Sequence, residues 1–254
     1  MDILGSIEGL EWLYLCLVLI GASVVHGTLG MGFPLIFTAL AAIVIDVKSA
    51  VFISLVPSIL INFRCLTEGY DWRGLIRRFA PLALLAGAGS VIGTKILLDA
   101  PPGPIKLILI LSIAFYLLLD RLKNRRFAWI QTYPTAAMVV FALAAGIIGG
   151  ITNAMGPILI IYFLENHIGK DETVQGLNLC FVVGKFVQLF MFYSAGDAYS
   201  SDGWLIIAAV SVLVFALLLV GIRIRQRFEV ETYRRLLKHA LAIIALVLLG
   251  QLVI

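Results

Sequence analysis

Two glycine- and proline-containing stretches, residues 26–34 and 149–157, interrupt apolar sequence at matching places in the two halves of the chain. Each stretch falls where a membrane helix would have to be continuous. Backbone groups without a helical partner are tolerated at membrane depth only where they are buried in protein or line a cavity. A matched pair of such breaks is the best pointer in a sequence to the binding site of a transporter.

The composition predicts an all-α polytopic membrane protein. The 254 residues are 61% hydrophobic and 13% charged, and their mean hydropathy is +1.05. Soluble domains are about half apolar and about a quarter charged. Windows of about twenty apolar residues predict about eight full spans. These windows are residues 10–27, 48–66, 79–98, 104–119, 130–149, 173–194, 203–222 and 239–254.

Two shorter apolar segments, roughly residues 34–45 and 157–168, follow the two breaks. Both begin with proline, at Pro34 and Pro157, and proline is favoured in the first turn of a helix. At about 1.5 Å per residue these helices are too short to span a membrane alone. The acidic N-terminus lacks the basic region of a cleaved signal peptide, so the first apolar segment is expected to be retained.

The distribution of positive charge predicts how the two halves are related. Lys and Arg concentrate in loops 64–78, 121–126 and 223–238, whereas loop 195–203 and the N-terminus carry none. Cytoplasmic loops hold the excess of positive charge. All three basic loops face the cytoplasm only if each half crosses an odd number of times, so each break is read as a helix–break–short helix hairpin. The halves are then inverted repeats with both termini outside.

This interpretation divides the chain into a first transmembrane repeat, 1–120, a basic cytoplasmic linker, 121–127, and a second transmembrane repeat, 128–254. Each repeat consists of one hairpin followed by three transmembrane helices. Sliding the second half over the first places Gly27 on Gly150 and Pro34 on Pro157. An arrangement of this kind puts a binding site near the middle of the bilayer, between the repeats.

The breaks themselves predict an anion-binding site. Gly30, Gly32, Asn153 and Gly156 allow the backbone to turn before the two short helices. The first turns after Pro34 and Pro157 have unpaired N–H groups and the positive end of a helix dipole. Two such ends that converge would form a cradle for an anion. The alternative is that the glycines serve close helix packing, as small residues do in membranes.

Lys185 is the second candidate, because it lies near the centre of the predicted helix 173–194. A charge inside a membrane is costly and by default faces a cavity or a partner. No Asp or Glu falls at comparable depth on a neighbouring segment, so an anionic substrate would supply the missing charge. A lysine that snorkels to the membrane surface is the alternative.

Polar residues near these features complete the predicted binding site. Asn62, which the repeat aligns with Lys185, and Asn153, Asn178 and Gln188 are candidates for hydrogen bonds to substrate oxygens. Each of them also suits hydrogen bonding between helices. His26 borders the first break and is the candidate for carrying a coupling proton; packing through a backbone hydrogen bond is the alternative.

Other classes of function find little support in the sequence. It contains no Gly-x-Ser-x-Gly or His-Glu-x-x-His motif and no paired intramembrane carboxylates, so no enzyme is predicted. The histidines lack metal-ligand spacing, and the three cysteines have no Cys-x-x-Cys spacing and are expected to pack as small apolar residues. No metal or cofactor is predicted. The net charge of +4 comes mainly from the loop clusters and does not suggest nucleic-acid binding.

The chain resembles the TauE/SafE sulfite-exporter family, also called the toluenesulfonate uptake permeases. The resemblance lies in the Gly-rich loop that enters the Pro34 segment, its repeat at residues 149–157, and the closing pattern at residues 221–237. It implies secondary transport of sulfite, sulfonates or sulfoacetate-like anions across a bacterial or archaeal inner membrane. Compared with the family, Met31 and Phe33 replace a glycine-richer loop, and Lys185 stands where a neutral polar residue is usual.

The sequence thus predicts a carrier that alternates access to an anion, with the lipid bilayer and a coupling proton or sodium ion as its other partners. Two alternatives remain open. A non-transporting membrane scaffold or assembly factor would use the breaks for packing only. An anion channel would need a continuous polar path.

Overall fold

The computed structural model describes residues 9–68, 71–122, 128–195, 201–225 and 230–253. Within these ranges every element is a helix, which confirms the all-α class. The predicted linker 121–127 and loop 195–203 lie largely outside the described residues. The helices are α1 (Gly9–Leu29), α2 (Phe33–Ala41), α3 (Val47–Leu66), α4 (Trp72–Asp99), α5 (Pro102–Leu122), α6 (Ala128–Thr132), α7 (Pro134–Thr152), α8 (Gly156–Glu165), α9 (Lys170–Ser194), α10 (Ser201–Arg225) and α11 (Val230–Val253).

Six of the described helices are long and apolar enough to cross a membrane, namely α1, α3, α4, α7, α9 and α10. The described apolar parts of α5 and α11, Pro102–Leu118 and Leu241–Leu252, are shorter. Large apolar side chains are exposed around the helix bundle, including Leu84 (67%), Phe190 (71%) and Val212 (71%). Surfaces this apolar are suited to lipid rather than water, so the protein is a multi-pass membrane protein.

The predicted helix 130–149 is split in the structure. A short helix, α6, ends at Thr132, and α7 begins at Pro134. Tyr133 lies between them with φ −130° and ψ 69°. The cause is local, because the ring of a proline disfavours helical backbone at the preceding residue.

Both short helices run back along the helix that precedes them. The Tyr14 hydroxyl, near the start of α1, donates to the carbonyl of Leu40 at the end of α2, at 3.1 Å. In the second half, the Gln131 side chain, just before α7, donates to the carbonyl of Glu165 at the end of α8, also at 3.1 Å. Each break is therefore the tip of a helix hairpin.

The short helices are shorter than the predicted segments, because each is followed by a turn. Asp46 then caps α3, with its carboxylate accepting the backbone N–H of Ser49 at 3.0 Å. This is the usual way in which an aspartate satisfies the orphan donors of a helix N-terminus. The prolines Pro34 and Pro157 each lie in the first turn of their helix, as predicted.

Each hairpin crosses a helix of the other half of the chain. The long helix α1 packs on α10, and α7 packs on α4; α9 lies between α3 and α4. At the crossings the backbones are almost in contact, since a Cβ atom on Gly27 would lie 2.8 Å from the Cα of Gly221. A Cβ on Gly150 would lie 2.8 Å from the backbone nitrogen of Thr94. Glycine is needed at both crossings because any side chain would displace a helix backbone.

Candidate functional site

The tip of the second hairpin is built around Asn153, which ends α7 in the left-handed conformation with φ 64°. Asparagine is one of the few residues that adopt this conformation readily. The turn points its amide group into the protein interior, where Asn153 is 2% exposed. Its Nδ2 donates to Thr38 Oγ1 on α2 at 2.7 Å and to Ser54 Oγ on α3 at 2.9 Å. Asn153 thus joins both halves of the chain.

Lys185 contacts this same tip. Lys185 is 3% exposed. Its Nζ donates to Asn153 Oδ1 and to Gln188 Oε1, the second at 2.5 Å. Gln188 Nε2 in turn donates to the carbonyl of Gly150 at 2.9 Å. Both acceptors of Lys185 are neutral amide oxygens. Among the described residues Lys185 forms no ion pair, whereas Arg78 and Glu172 form one at the protein surface, at 2.8 Å.

The start of α8 adds further donors beside this cluster. Within the described part of the chain, no side chain caps α8, and neither the Gly156 nor the Ile158 amide has a hydrogen-bond partner. Such first-turn amides, together with the helix dipole, favour an anion. Met155, the residue before α8, lines a cavity of about 10 Å³ beside Lys185. The other lining residues are Ser90, Gly149, Asn153, Phe181, Gly184 and Gln188.

A volume of about 10 Å³ is room for about one water molecule and too small for a sulfite or sulfonate group. The side chains of Met155 and Phe181 are the largest apolar groups that line this space.

The tip of the first hairpin has different chemistry. Gly30 and Gly32 have φ of 76° and 115°, a region that side chains disfavour. His26, which is fully buried, accepts the backbone N–H of Phe33 through its Nδ1 at 3.1 Å. The Asn178 side chain donates to the carbonyl of Gly30 at 2.9 Å. The amide that opens α2 is therefore already satisfied from within the protein.

The predicted site residues thus fall into two groups. Asn153, Gly156, Pro157, Lys185 and Gln188 lie at the second tip, whereas His26, Gly30, Gly32, Pro34 and Asn178 lie at the first. A hydrogen bond from Asn153 joins the second tip to Thr38, in the middle of α2. The shared cradle of the two short-helix N-termini stays a prediction. The two groups are seven residues apart on α9, or about 10 Å at the helical rise.

Asn62 forms no hydrogen bond with either group in the described chain. It is fully buried on α3, and neither atom of its amide has a partner. Ser58, one turn earlier on α3, also has a partnerless hydroxyl. Ser54, another turn earlier, contacts Asn153. Because residues four apart lie on the same helix face, Ser54, Ser58 and Asn62 form a polar row that begins at the Lys185 cluster. His26 Nε2, Asn178 Oδ1 and Thr94 Oγ1 are the other buried side-chain atoms without a partner in the described chain.

Sequence reasoning missed Thr38, Ser54 and Ser58. A signal was present, since Thr38 is the only polar residue of α2, and Ser54, Ser58 and Asn62 recur every four residues in an apolar helix. Native proteins leave few buried polar groups without a partner. A row of them next to a buried lysine is the pattern expected where water or a ligand enters in another conformation.

Comparison with models of known protein families identifies the family of this chain. The family model described as Sulfite exporter TauE/SafE matches residues 15–248. The chain belongs to this family. Its members are membrane transporters rather than enzymes. Searches of curated proteins and of solved structures give no match. The predicted resemblance is therefore confirmed over nearly the whole chain.

Proposed function

We propose that the protein is a secondary transporter that moves a small sulfur-containing or organic anion, such as sulfite, a sulfonate or a sulfoacetate-like compound, across the inner membrane. The observation that carries this proposal is the buried Lys185 amino group, which contacts only neutral oxygens. A buried cation without a counter-charge is costly. An anion bound beside it would supply the missing charge.

In this proposal the anion binds at the second tip, between Lys185, the Asn153 amide and the unpaired amides that open α8. Gln188 orients Lys185, and Asn62 and Asn178 line the route between the two tips. The glycines of the first tip and Pro34 and Pro157 set the path of the backbone. Proton coupling through His26 stays a prediction, and its Nδ1 serves as the acceptor for Phe33 in the conformation described.

Access to the site would alternate through movement of one repeat against the other. Three features support inverted repeats, with 1–120 and 128–254 as the two halves. Both hairpins return alongside their long helices. The packing of α1 on α10 and of α3 on α10 has its counterpart in the packing of α7 on α4 and of α9 on α4. Gly27 and Gly150 occupy equivalent crossings.

The same reading gives eight full spans and two short helices, with both termini outside the cytoplasm. It places the ion pair between Arg78 and Glu172 near the cytoplasmic ends of α4 and α9. The small volume beside Lys185 supports alternating access, because a sulfur oxyanion fits there only after the lining side chains, which include Met155 and Phe181, move apart. Secondary transporters of this architecture move one bundle against another in this way.

The test is anion binding and transport by the purified full-length protein. Thermal shifts are measured with sulfite, methanesulfonate, benzenesulfonate, sulfoacetate and acetate, followed by uptake into liposomes with and without proton and sodium gradients. Wild-type protein is expected to bind at least one sulfur oxyanion and to show saturable uptake and counterflow. Lys185→Gln is expected to lose binding at least 100-fold with its thermal stability retained.

Lys95→Gln is the matched control, because Lys95 is an exposed lysine on α4 outside the cluster. It is expected to bind as the wild type does. Unchanged affinity in Lys185→Gln would refute the binding role of Lys185. Uptake without saturation or counterflow would indicate a channel, and no thermal shift with any of the anions would favour a scaffold.

A further inference from the structure

Both hydrogen-bond partners of Lys185 among the described residues are uncharged. Its Nζ donates to the side-chain oxygens of Asn153 and Gln188. The cavity beside it is otherwise lined by a serine hydroxyl, glycines, a thioether and an aromatic ring. The unprotonated amine can donate both of its hydrogens to these two oxygens and is far less costly to bury than an ammonium ion. These uncharged neighbours therefore suit the neutral amine.

The helices around Lys185 offer no other titrating group at this position. The described lengths of α2 and α7 contain no ionisable residue at all. On α4 the residue that lines the cavity is Ser90, and the nearest charge, Lys95, is exposed. On α3, Ser54 contacts the cluster, and Ser58 and Asn62 follow it on the same face. The ionisable residues of α3 lie towards its ends, Lys48 near the start and Arg64 and Cys65 in the last turn.

The remaining neighbours are α8 and α9 itself. On α8, Tyr162 and Glu165 lie in the second half of the helix, away from its first turn. On α9, Cys180 and Tyr193 are the nearest ionisable residues, and Asp171 and Glu172 lie in its first turn. None of these side chains contacts Lys185 in the described chain. His26 lies at the other tip, against the start of α2.

We propose that Lys185 carries the coupling proton of transport, so that the anion and one proton bind and leave together. The step is Lys–NH₂ + H⁺ + A⁻ → Lys–NH₃⁺···A⁻ on one side of the membrane and its reverse on the other. The proposal rests on the proposed function, because it needs the anion to bind at Lys185. A sulfonate is too weak a base to carry the proton itself near neutral pH, so with a sulfonate substrate the coupling proton has to be held by the protein.

His26 is less well placed for this role. Its Nδ1 accepts the amide of Phe33, and a proton on Nδ1 would replace that hydrogen bond with a clash of two N–H groups. Protonation of Lys185 breaks no contact, because an ammonium ion keeps both existing hydrogen bonds and gains a third donor for the anion.

The test measures proton uptake on binding. Methanesulfonate or benzenesulfonate, whichever binds more tightly, is titrated into the full-length protein by calorimetry in Bis-Tris and in Tris, buffers that contain no sulfonate. The difference in heat between the buffers gives the number of protons taken up. Wild type and the control Lys95→Arg are expected to take up about one proton per anion.

Lys185→Arg separates charge from protonation, because arginine stays charged at all accessible pH. It is expected to bind the anion without proton uptake. His26→Gln is expected to keep the wild-type proton count. In liposomes containing pyranine, wild type is expected to acidify the lumen when it imports the anion, and any Lys185→Arg protein that transports is expected not to.

Anion binding by the wild type without proton uptake would overturn this inference and leave the proposed function intact. Loss of proton uptake in His26→Gln but not in Lys185→Arg would also overturn it. If Lys185→Arg is too poorly folded to bind, the numbers of protons taken up by the wild type and by His26→Gln decide between Lys185 and His26 as the proton carrier. Failure of every tested anion to bind would reject the proposed function, and this inference with it.

Discussion

At the first hairpin tip, His26 accepts the amide that opens α2, and Asn178 binds the carbonyl of Gly30. At the second tip no side chain caps α8, and Asn153 instead contacts Lys185 and two hydroxyls from the other half of the chain. The two tips share a hairpin geometry and differ in what satisfies their polar groups. Among the described residues, the first tip uses His26 to accept one helix amide but leaves His26 Nε2 and Asn178 Oδ1 without partners. Within the same part of the chain, the second tip leaves two helix amides without partners, beside the hydrogen-bonded amine of Lys185.

In the proposed function the two hairpins share a backbone geometry, but only the second tip binds the anion. The two breaks would contribute equally if both helix N-termini held the anion. Variants at the helix crossings and at the two tips distinguish these alternatives.

The largest effect is expected at the glycine crossings. Gly27→Ala and Gly150→Ala each place a Cβ within 3 Å of a neighbouring helix backbone. Overpacking costs at least about 1–3 kcal/mol, and a rigid backbone gives little relief. Both variants are expected to lose most folded protein, measured by size-exclusion chromatography in detergent. Gly21→Ala is the control, because nothing lies within 4 Å of its Cβ position.

If one variant yields clearly more folded protein than the other, the two crossings differ in how tightly their helices pack. Normal folding of both variants would mean that the helices can separate at these points without cost.

The next effect distinguishes the tips by chemistry. Asn153→Gly keeps the left-handed turn but removes the amide that contacts Lys185, so anion affinity is expected to fall about 10- to 100-fold. Gly30→Ala forces a side chain into left-handed backbone and against Val174, which is expected to cost about 1–3 kcal/mol of stability. Its anion affinity is expected to stay within about twofold of the wild type. Isothermal titration and thermal unfolding measure both.

The reverse pattern, with affinity lost in Gly30→Ala and kept in Asn153→Gly, would move the binding site to the first tip.

A smaller effect is expected from removing the histidine cap. His26→Leu leaves the Phe33 N–H buried without an acceptor, at a cost of about 1–3 kcal/mol. Thermal stability is expected to fall while the affinity for a sulfonate is unchanged. Weaker binding at equal stability would instead give His26 a direct part in substrate recognition.

The smallest change in stability, and one of opposite sign, is expected at Asn62. Replacing a buried amide that has no partner with an apolar side chain of similar size is nearly neutral or stabilising. Asn62→Leu is therefore expected to unfold at the same or a higher temperature. If Asn62 lines the substrate route, liposome uptake slows at the same time. A clear loss of stability would mean that water satisfies this amide in the membrane.

Much of the fold follows from local sequence. The apolar windows predict the long helices because a helix in a membrane must bury about twenty residues. Pro34 and Pro157 predict the starts of the short helices because proline suits a first turn. The split before Pro134 escaped prediction, although the restriction that proline places on Tyr133 was available.

The candidate site was predictable only in its parts. Lys185 stands out because a charge is expensive within an apolar helix. The hydrogen-bonding groups of Asn153 and Gln188 predict a part in the site. Thr38 and Ser54 escape prediction, because they come from elements far away in the sequence. The sharing of one Asn153 amide among these groups depends on how α2, α3 and α9 pack.

The membrane class, the family, the positions of the two breaks and the presence of one deeply placed amine can be predicted from the sequence alone, because they depend on local hydrophobicity, backbone preference and charge. The position of the amine at the second tip and the hydrogen bond from the Phe33 amide to His26 at the first tip follow only from the tertiary structure. Hydrogen bonds between distant segments require the packed backbone, because donors and acceptors with the same sequence pattern can pair in many ways until packing selects one.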